Sequence, residues 1–273
     1  MGRRGRRGRF WKKCFPNCST KPQVEDSLWR AEELRVSGNW RAYFELLRFP
    51  AVFTAVADVM MGYLITHGDL RPLPIFMLLV AASSAIYLAG MVLNDAYDAE
   101  IDVRERPARP IPSGRVERLT AFRIGVVLLA IGHAAALTIA VVGQDFRPLI
   151  IVIILALFVY LYDRFGKRLS VGPIIMGCCR SLNVLLGMSL ALQWDSTHLL
   201  IAGGIATYIA ILTWIARHES TSLQVQNVVR NLLRGIIVID AAIVLGFCGL
   251  LWGSAVLALL VPMLLLERSA STT

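Results

Sequence analysis

The chain of 273 residues is 56% hydrophobic and only 17% charged, with a mean hydropathy of +0.61. A soluble domain of this length has too little interior for so much apolar surface, so the composition excludes an ordinary soluble globule. The net charge of +9 sits in a tail and loops, where it reads as topology and attraction to anionic lipid rather than as a nucleic-acid surface.

Residues 1–47 form the first predicted unit, a basic cytoplasmic tail. Its start, MGRRGRRGRFWKKC, lacks the apolar core of a signal peptide and has no Ser or Thr at position 6 for myristoylation. Residues 1 to about 25 read as disordered, and 26–47 carry apolar residues at loose helical spacing, as in an interfacial amphipathic helix. Residues 48–273 form the second unit. Apolar runs near 49–66, 74–94, 119–142, 147–162, 171–193, 198–216, 232–251 and 252–267 predict about eight transmembrane helices. Strand-like alternation is absent, so the fold class is all-α, a polytopic membrane bundle and not a barrel. The last two runs, parted only by Trp252-Gly253-Ser254, read as two spans or one broken hairpin.

At the end of the second run stand Asn94, Asp95, Asp98 and Asp102, followed by Arg104, Arg106, Arg109, Arg115 and the three prolines Pro107, Pro110 and Pro112. On a helix Asp95, Asp98 and Asp102 lie at i, i+3 and i+7, so their carboxylates share a face. Stacked carboxylates repel one another unless a cation sits between them. Hard oxygen ligands at this spacing suit Mg²⁺ shared with substrate phosphates, and nearby Arg109 and Arg115 suit the remaining phosphate charge. The competing reading is an acidic helix end paired with Arg104 and Arg106.

Further along, Tyr160 and Lys167 are seven apart at the end of the fourth run, beside Arg168. They would share a face if the helix continues, or they serve as interfacial anchors. Asp58, Arg180, Asn183 and Asp240 are polar residues at membrane depth, where ionisable groups face a cavity or a partner. They fit a structural Asp58–Arg180 or Asp240–Arg180 pair, a place in the site, or a base that positions an acceptor or takes its proton. The loop after the sixth run holds Glu219 as its one carboxylate, with Asn227, Arg230, Asn231 and Arg234 on one helical face. That face either meets phosphate or is a plain amphipathic helix. Cys178, Cys179 and Cys248 lie in apolar runs as packing residues, and no histidine pair has ligand spacing.

The segment Asn94 to Asp102 with the following RERPARPIPSGRV resembles the first aspartate-rich motif of the UbiA superfamily of intramembrane prenyltransferases. Weaker similarity runs from Leu47 to about Asp240. The GPxxMGxCRxLNxLLG pattern within Ser170–Gly187 resembles the EboC-type branch. The resemblance implies that Asn94, Asp95, Asp98 and Asp102 hold Mg²⁺ and the diphosphate of an isoprenoid donor. It also implies that Tyr160 and Lys167 flank the leaving diphosphate. Two departures stand out. The second DxxxD motif of the family is missing from the loop that holds Glu219, and Ala51 stands where relatives often have Asn. Glu219 as a ligand, with Asn227, Arg230, Asn231 and Arg234 meeting phosphate, would then replace part of the second metal's role, and Lys167, Arg168, Arg180 and Asn183 are further candidate diphosphate contacts.

Twelve basic residues precede the first span, and the loops after spans two, four and six carry Arg or Lys clusters, whereas the intervening loops have only Arg71 and Arg147. This asymmetry predicts a multi-pass protein of a bacterial inner membrane, with N-terminus and active site cytoplasmic. The leading function is Mg²⁺-dependent transfer of a prenyl group from a polyprenyl diphosphate to a lipophilic acceptor, aromatic or quinone-like, entering from membrane lipid. The alternatives are a lipid-diphosphate-binding or transport component without turnover, and a polytopic scaffold with a recruiting tail.

Overall fold

The computed structural model describes the backbone of residues 40–166, 169–218 and 223–271, with side chains at 218, 223–226 and 269–271 excepted. The chain divides into two compact units, Met1–Ala42 and Tyr43–Thr273, and the fold below is that of the second. The disordered tail and most of the amphipathic helix expected before residue 47 lie outside the described residues.

A short 3₁₀ turn at Phe49–Ala51 leads into α1 (Val52–His67). There follow α2 (Leu73–Glu105), α3 (Arg118–Gly143), α4 (Arg147–Leu161), α5 (Gly172–Gly187), α6 (Ser196–His218), α7 (Leu223–Cys248), α8 (Leu250–Leu257) and α9 (Leu260–Ser271). No strand occurs among the described residues, and seven helices are long and apolar enough to cross a membrane, with Gly172–Gly187 as a shorter apolar helix. The all-α polytopic bundle expected from composition is what forms. Its local punctuation is chemical. Pro74, Pro148 and Pro173 sit in the first turns of α2, α4 and α5, where a missing N–H costs nothing. Gly68 ends α1 at φ 78 with its N–H bonded to the Leu64 carbonyl, a left-handed cap that glycine adopts without steric penalty.

Three helices depart from their predicted lengths, α5 by ending at Gly187 where the fifth run was expected to reach residue 193. The second was expected to end near residue 94, yet α2 continues to Glu105, so the acidic segment is helical throughout. At 33 residues it is about 50 Å long, well beyond a hydrocarbon core of about 30 Å, which carries its acidic end past the bilayer. The seventh run extends back to Leu223 in α7 and ends at Gly249, φ 82, so the last two runs are separate elements. Leu250–Arg268 then forms a single span bent between α8 and α9.

α1 lies innermost, packed against α2, α5 and α7. It meets α5 backbone to backbone: a Cβ on Gly62 would run into the Val184 carbonyl, and one on Gly187 into that of Val59. Small residues at such crossings let membrane helices gain dispersion contacts that lipid cannot offer. The outer faces of α3 and α4, with Val126, Val127, Val142, Ile150 and Leu157 exposed, present apolar side chains to lipid.

Candidate functional site

A cavity of about 390 Å³ opens among α2, α4, α5 and α6. Helical periodicity builds its walls. Tyr87, Met91, Asn94 and Asp98 line it from α2 at i, i+4, i+7 and i+11. Leu155 and Val159 line it from α4, Met176, Cys179, Arg180 and Asn183 from α5, and Thr213, Ala216 and Arg217 from α6. Arg48, Arg106 and Arg109 reach it from outside these four helices.

The loop after α2 explains how Arg109 arrives there. Its prolines forbid helix continuation, and the segment folds into successive turns, with Ser113 N–H bonded to the Arg109 carbonyl and Val116 N–H to that of Pro110. Arg115 braces these turns through Glu45 at 2.7 Å, the Ala108 carbonyl at 2.6 Å and Ser113 Oγ at 3.0 Å. Arg109 is thereby folded back over α2. Its Nη1 lies 2.7 Å from Asp102 Oδ2 and 3.2 Å from Asp95 Oδ1. Arg48 Nη2 donates to the same Asp95 oxygen at 2.8 Å, and Asn94 Nδ2 does so at 3.3 Å. Asp95 and Asp102 are buried behind these arginines, and of the three aspartates only Asp98 lines the cavity.

The deep end is also polar. Arg180 Nη1 donates to Asp58 Oδ2 at 2.6 Å, and Nη2 donates to Thr54 Oγ1. Asn183 Nδ2 donates to the Ala55 carbonyl at 3.1 Å and to Asp58 Oδ2 at 3.3 Å, while its Oδ1 accepts from Ser83 Oγ at 2.6 Å. The Arg180 guanidinium stands 5.7 Å from the centre of the Tyr87 ring. Asp240, wholly buried on α7, feels both Asp58 and Arg180, and neither of its oxygens accepts a hydrogen bond among the described residues. Of the two expected structural pairings, Asp58–Arg180 is the one formed.

Other expected residues fall elsewhere. Tyr160 is half-exposed and is not among the lining residues. α4 stops at Leu161 and is followed by a wide π-type turn, Tyr162–Gly166, so Tyr160 and the segment toward Lys167 do not share one continuous α-helical face. Tyr162 lines the cavity instead. Arg115 serves the loop, and Arg230 is exposed on α7 and is not among the lining residues. Arg234 of the same face pairs with Glu267 and Asn231. Lys167, Arg168 and Glu219 lie outside the described residues.

Several lining residues had no expected role. Arg48, counted only toward topology, reaches Asp95. Arg217 lines the cavity and donates to the Leu169 carbonyl at 2.7 Å and to that of Gly166, pinning the turn after α4. Tyr87 was legible as the residue seven before Asn94, on the same stripe. Five arginines and two aspartates line the cavity, a balance that suits a polyanion. Among the described residues no three acidic, histidine or cysteine side chains cluster closely enough to cage a metal unaided. The donor set of Asn94 and Asp98 instead fits a Mg²⁺ that keeps waters and shares the oxygens of a bound phosphate.

The UbiA prenyltransferase family model matches residues 55–271. The digeranylgeranylglyceryl phosphate synthase of Sulfolobus acidocaldarius is 33% identical over 148 residues, covering 54% of this chain and 52% of that protein. The synthase of the same name from Methanothermobacter thermautotrophicus is 34% identical over 146 residues, covering 53% and 49%. The chain thus spans about half the length of the curated relatives it matches. Among solved structures, one of a digeranylgeranylglyceryl phosphate synthase in membranes aligns with a TM-score of 0.58 at 22% identity, covering 86% of this chain and 94% of that one. A UbiA homologue from Archaeoglobus fulgidus bound to DMAPP and Mg²⁺ aligns with a TM-score of 0.57 at 17% identity, covering 83% and 87%. At these identities the likeness is one of fold.

Proposed function

Because the chain belongs to the UbiA prenyltransferase family, we propose that it transfers a prenyl group from a polyprenyl diphosphate to a lipophilic acceptor within the membrane. The observation that carries this reading is the cavity mouth, where Arg48, Arg106, Arg109 and Arg217 face the same space as Asn94 and Asp98. The arginines would bind the diphosphate through charge-assisted hydrogen bonds, and Asn94 and Asp98 would hold Mg²⁺ with the phosphate oxygens. A Mg²⁺ held by Asn94 and Asp98 would supply charge neutralisation for the leaving diphosphate. The A. fulgidus homologue bound to DMAPP and Mg²⁺ supports this assignment. Lys167, Arg168 and Glu219 remain proposed phosphate and metal contacts. The apolar walls from Met91, Leu155 and Val159 keep water from the reacting carbon.

The acceptor we favour is aromatic or quinone-like. An alcohol acceptor of the glyceryl phosphate type is the second reading, favoured by the names of the curated relatives. The positive-inside bias of the arginine-rich loops supports a mouth on the cytoplasmic side. A chain that binds donor without turnover is the alternative, because the loop after α6 has one carboxylate where the family has a second aspartate motif. The deciding experiment uses full-length protein in nanodiscs with Mg²⁺ and geranylgeranyl diphosphate. Aromatic, quinol and glyceryl phosphate acceptors are offered separately. Pyrophosphate release matched by a prenylated product supports the enzyme, and saturable donor binding without release from any acceptor supports the binding protein.

A further inference from the structure

The cavity is polar at both ends and apolar between them. Along α2, Asn94 lies seven residues from Tyr87, about 10 Å by helical rise, and Met91 fills the interval. Gly90 narrows the same stretch, since Val159 packs where its Cβ would be. A prenyl chain bound at the mouth by its diphosphate has no use for the deep end, where Ser83, Tyr87, Arg180 and Asn183 gather. Hydrocarbon placed there would desolvate polar groups without replacing their hydrogen bonds.

Most of these groups are already engaged. Asn183 is bonded on both its oxygen and nitrogen, and Arg180 gives hydrogen bonds to Asp58 and Thr54. The Tyr87 hydroxyl has no hydrogen-bond partner among the described residues, although its ring is held under the Arg180 guanidinium. The charge of Arg180 is matched by Asp58 at 2.6 Å, with Asp240 also within its field. A ligand reaching this end therefore meets a polar surface whose positive charge is already compensated. An anionic group would face two carboxylates behind the guanidinium, whereas an uncharged oxygen would not.

We propose that Tyr87 is the specificity contact for the acceptor, hydrogen-bonding an uncharged hydroxyl or carbonyl oxygen at the deep end of the cavity, while the acceptor's nucleophilic atom lies at the apolar waist below the donor. The span from Tyr87 to the mouth accommodates an acceptor ring between its polar oxygen and the donor carbon. This rests on the prenyl-transfer reading and narrows its acceptor to one with a neutral oxygen at the end that enters first.

The experiment measures equilibrium binding to full-length protein in nanodiscs with two probes, Mg²⁺–geranyl diphosphate and 1,4-naphthoquinol, in the wild type, Tyr87→Phe and Arg109→Ala. Tyr87→Phe keeps the ring under Arg180 and removes only the hydroxyl, so the fold should survive. The expected result is a fivefold or greater loss of quinol affinity in Tyr87→Phe with donor affinity unchanged, and the reverse pattern in Arg109→Ala. A quinol affinity unchanged by Tyr87→Phe, or a donor affinity lost equally, overturns the assignment. Wild type that binds donor but not the quinol overturns it while leaving donor binding intact. Wild type that binds neither probe removes the prenyl-transfer reading, and this assignment with it.

Discussion

Arg109 lies 2.7 Å from Asp102, a residue seven positions earlier in sequence, because the turns after α2 fold the chain back on the helix. The same nitrogen reaches Asp95 at 3.2 Å. One guanidinium thus ties two buried carboxylates of the acidic segment while lining the cavity. In the proposed reading it would exchange a carboxylate oxygen for a phosphate oxygen without leaving its place.

Arg109→Ala should therefore weaken binding of Mg²⁺–geranylgeranyl diphosphate by about ten- to a hundredfold, the worth of a charge-assisted hydrogen bond. Asp98→Ala should abolish the Mg²⁺ dependence of that binding, because Asp98 is the aspartate of the segment that lines the cavity. Both variants should remain membrane-inserted. Titration in nanodiscs with and without Mg²⁺ reads the effect, and donor affinity unchanged in both would remove the diphosphate site from the mouth.

A different outcome is expected at the deep end. Asp58 is wholly buried, and its carboxylate accepts from Arg180 and Asn183. Asp58→Asn removes the carboxylate hydrogen-bonded to the Arg180 guanidinium and leaves only the more distant Asp240 opposite it, and breaking a buried pair costs about 3–5 kcal/mol. The variant should melt at a clearly lower temperature in detergent than the wild type. Asp58→Asn combined with Arg180→Met removes both charges and should recover part of the loss. Additive losses in the double variant would mean that the pair contributes nothing jointly.

The bundle was legible in the sequence because apolar length and charge placement are local properties. α2 through α6 begin within two residues of the predicted runs. The cavity was less so. Asn94 and Asp98 were visible from spacing, but Asp95 and Asp102 turn to arginines whose approach depends on a loop fold that no periodicity encodes. Arg48 and Arg217 read as topology signals because a charge count along the chain does not say which charges turn inward. Tyr160 and Lys167 were paired on condition that the helix continues; α4 stops at Leu161 before the wide turn at Tyr162–Gly166, and Lys167 itself lies outside the described residues. The Arg180–Asp58 pair, 122 residues apart, was one of two pairings the sequence allowed, and tertiary packing chose between them.

The crossing of α1 and α5 gives a third test. A Cβ at Gly62 would meet the Val184 carbonyl and the Gly187 backbone, neither of which can rotate away. Gly62→Ala should force the helices apart and cost about 1–3 kcal/mol, as overpacking does. Gly203→Ala on α6 is the matched control, since nothing lies within 4 Å of the added carbon there. Thermal unfolding of the purified variants should separate them, and equal melting temperatures would rule out a tight crossing.

Topology decides whether the donor site meets a cytoplasmic substrate. The turns after α2 and those after α4 carry Arg106, Arg109, Arg115 and Arg164, and two of the mouth arginines, Arg106 and Arg109, stand among them. At the other end, Arg147 pairs with Asp145, and that arginine also donates to the Ala191 carbonyl at 2.5 Å, tying the loops before α4 and after α5 together. The Arg147 guanidinium holds the Asp145 carboxyl below the usual carboxylate range, so charge there stays balanced near neutral pH. The positive-inside bias predicts that Ser113 and Leu169 face the cytoplasm, and Asp69 and Asp195 the outside. Single cysteines at these four positions, in a background with the five native cysteines replaced, should react with a membrane-impermeant maleimide in intact cells only at 69 and 195. Positions 113 and 169 should react only after the membrane is opened. Labelling of position 113 from outside would reverse the orientation and place the arginine-lined mouth on the wrong side for a cytoplasmic diphosphate.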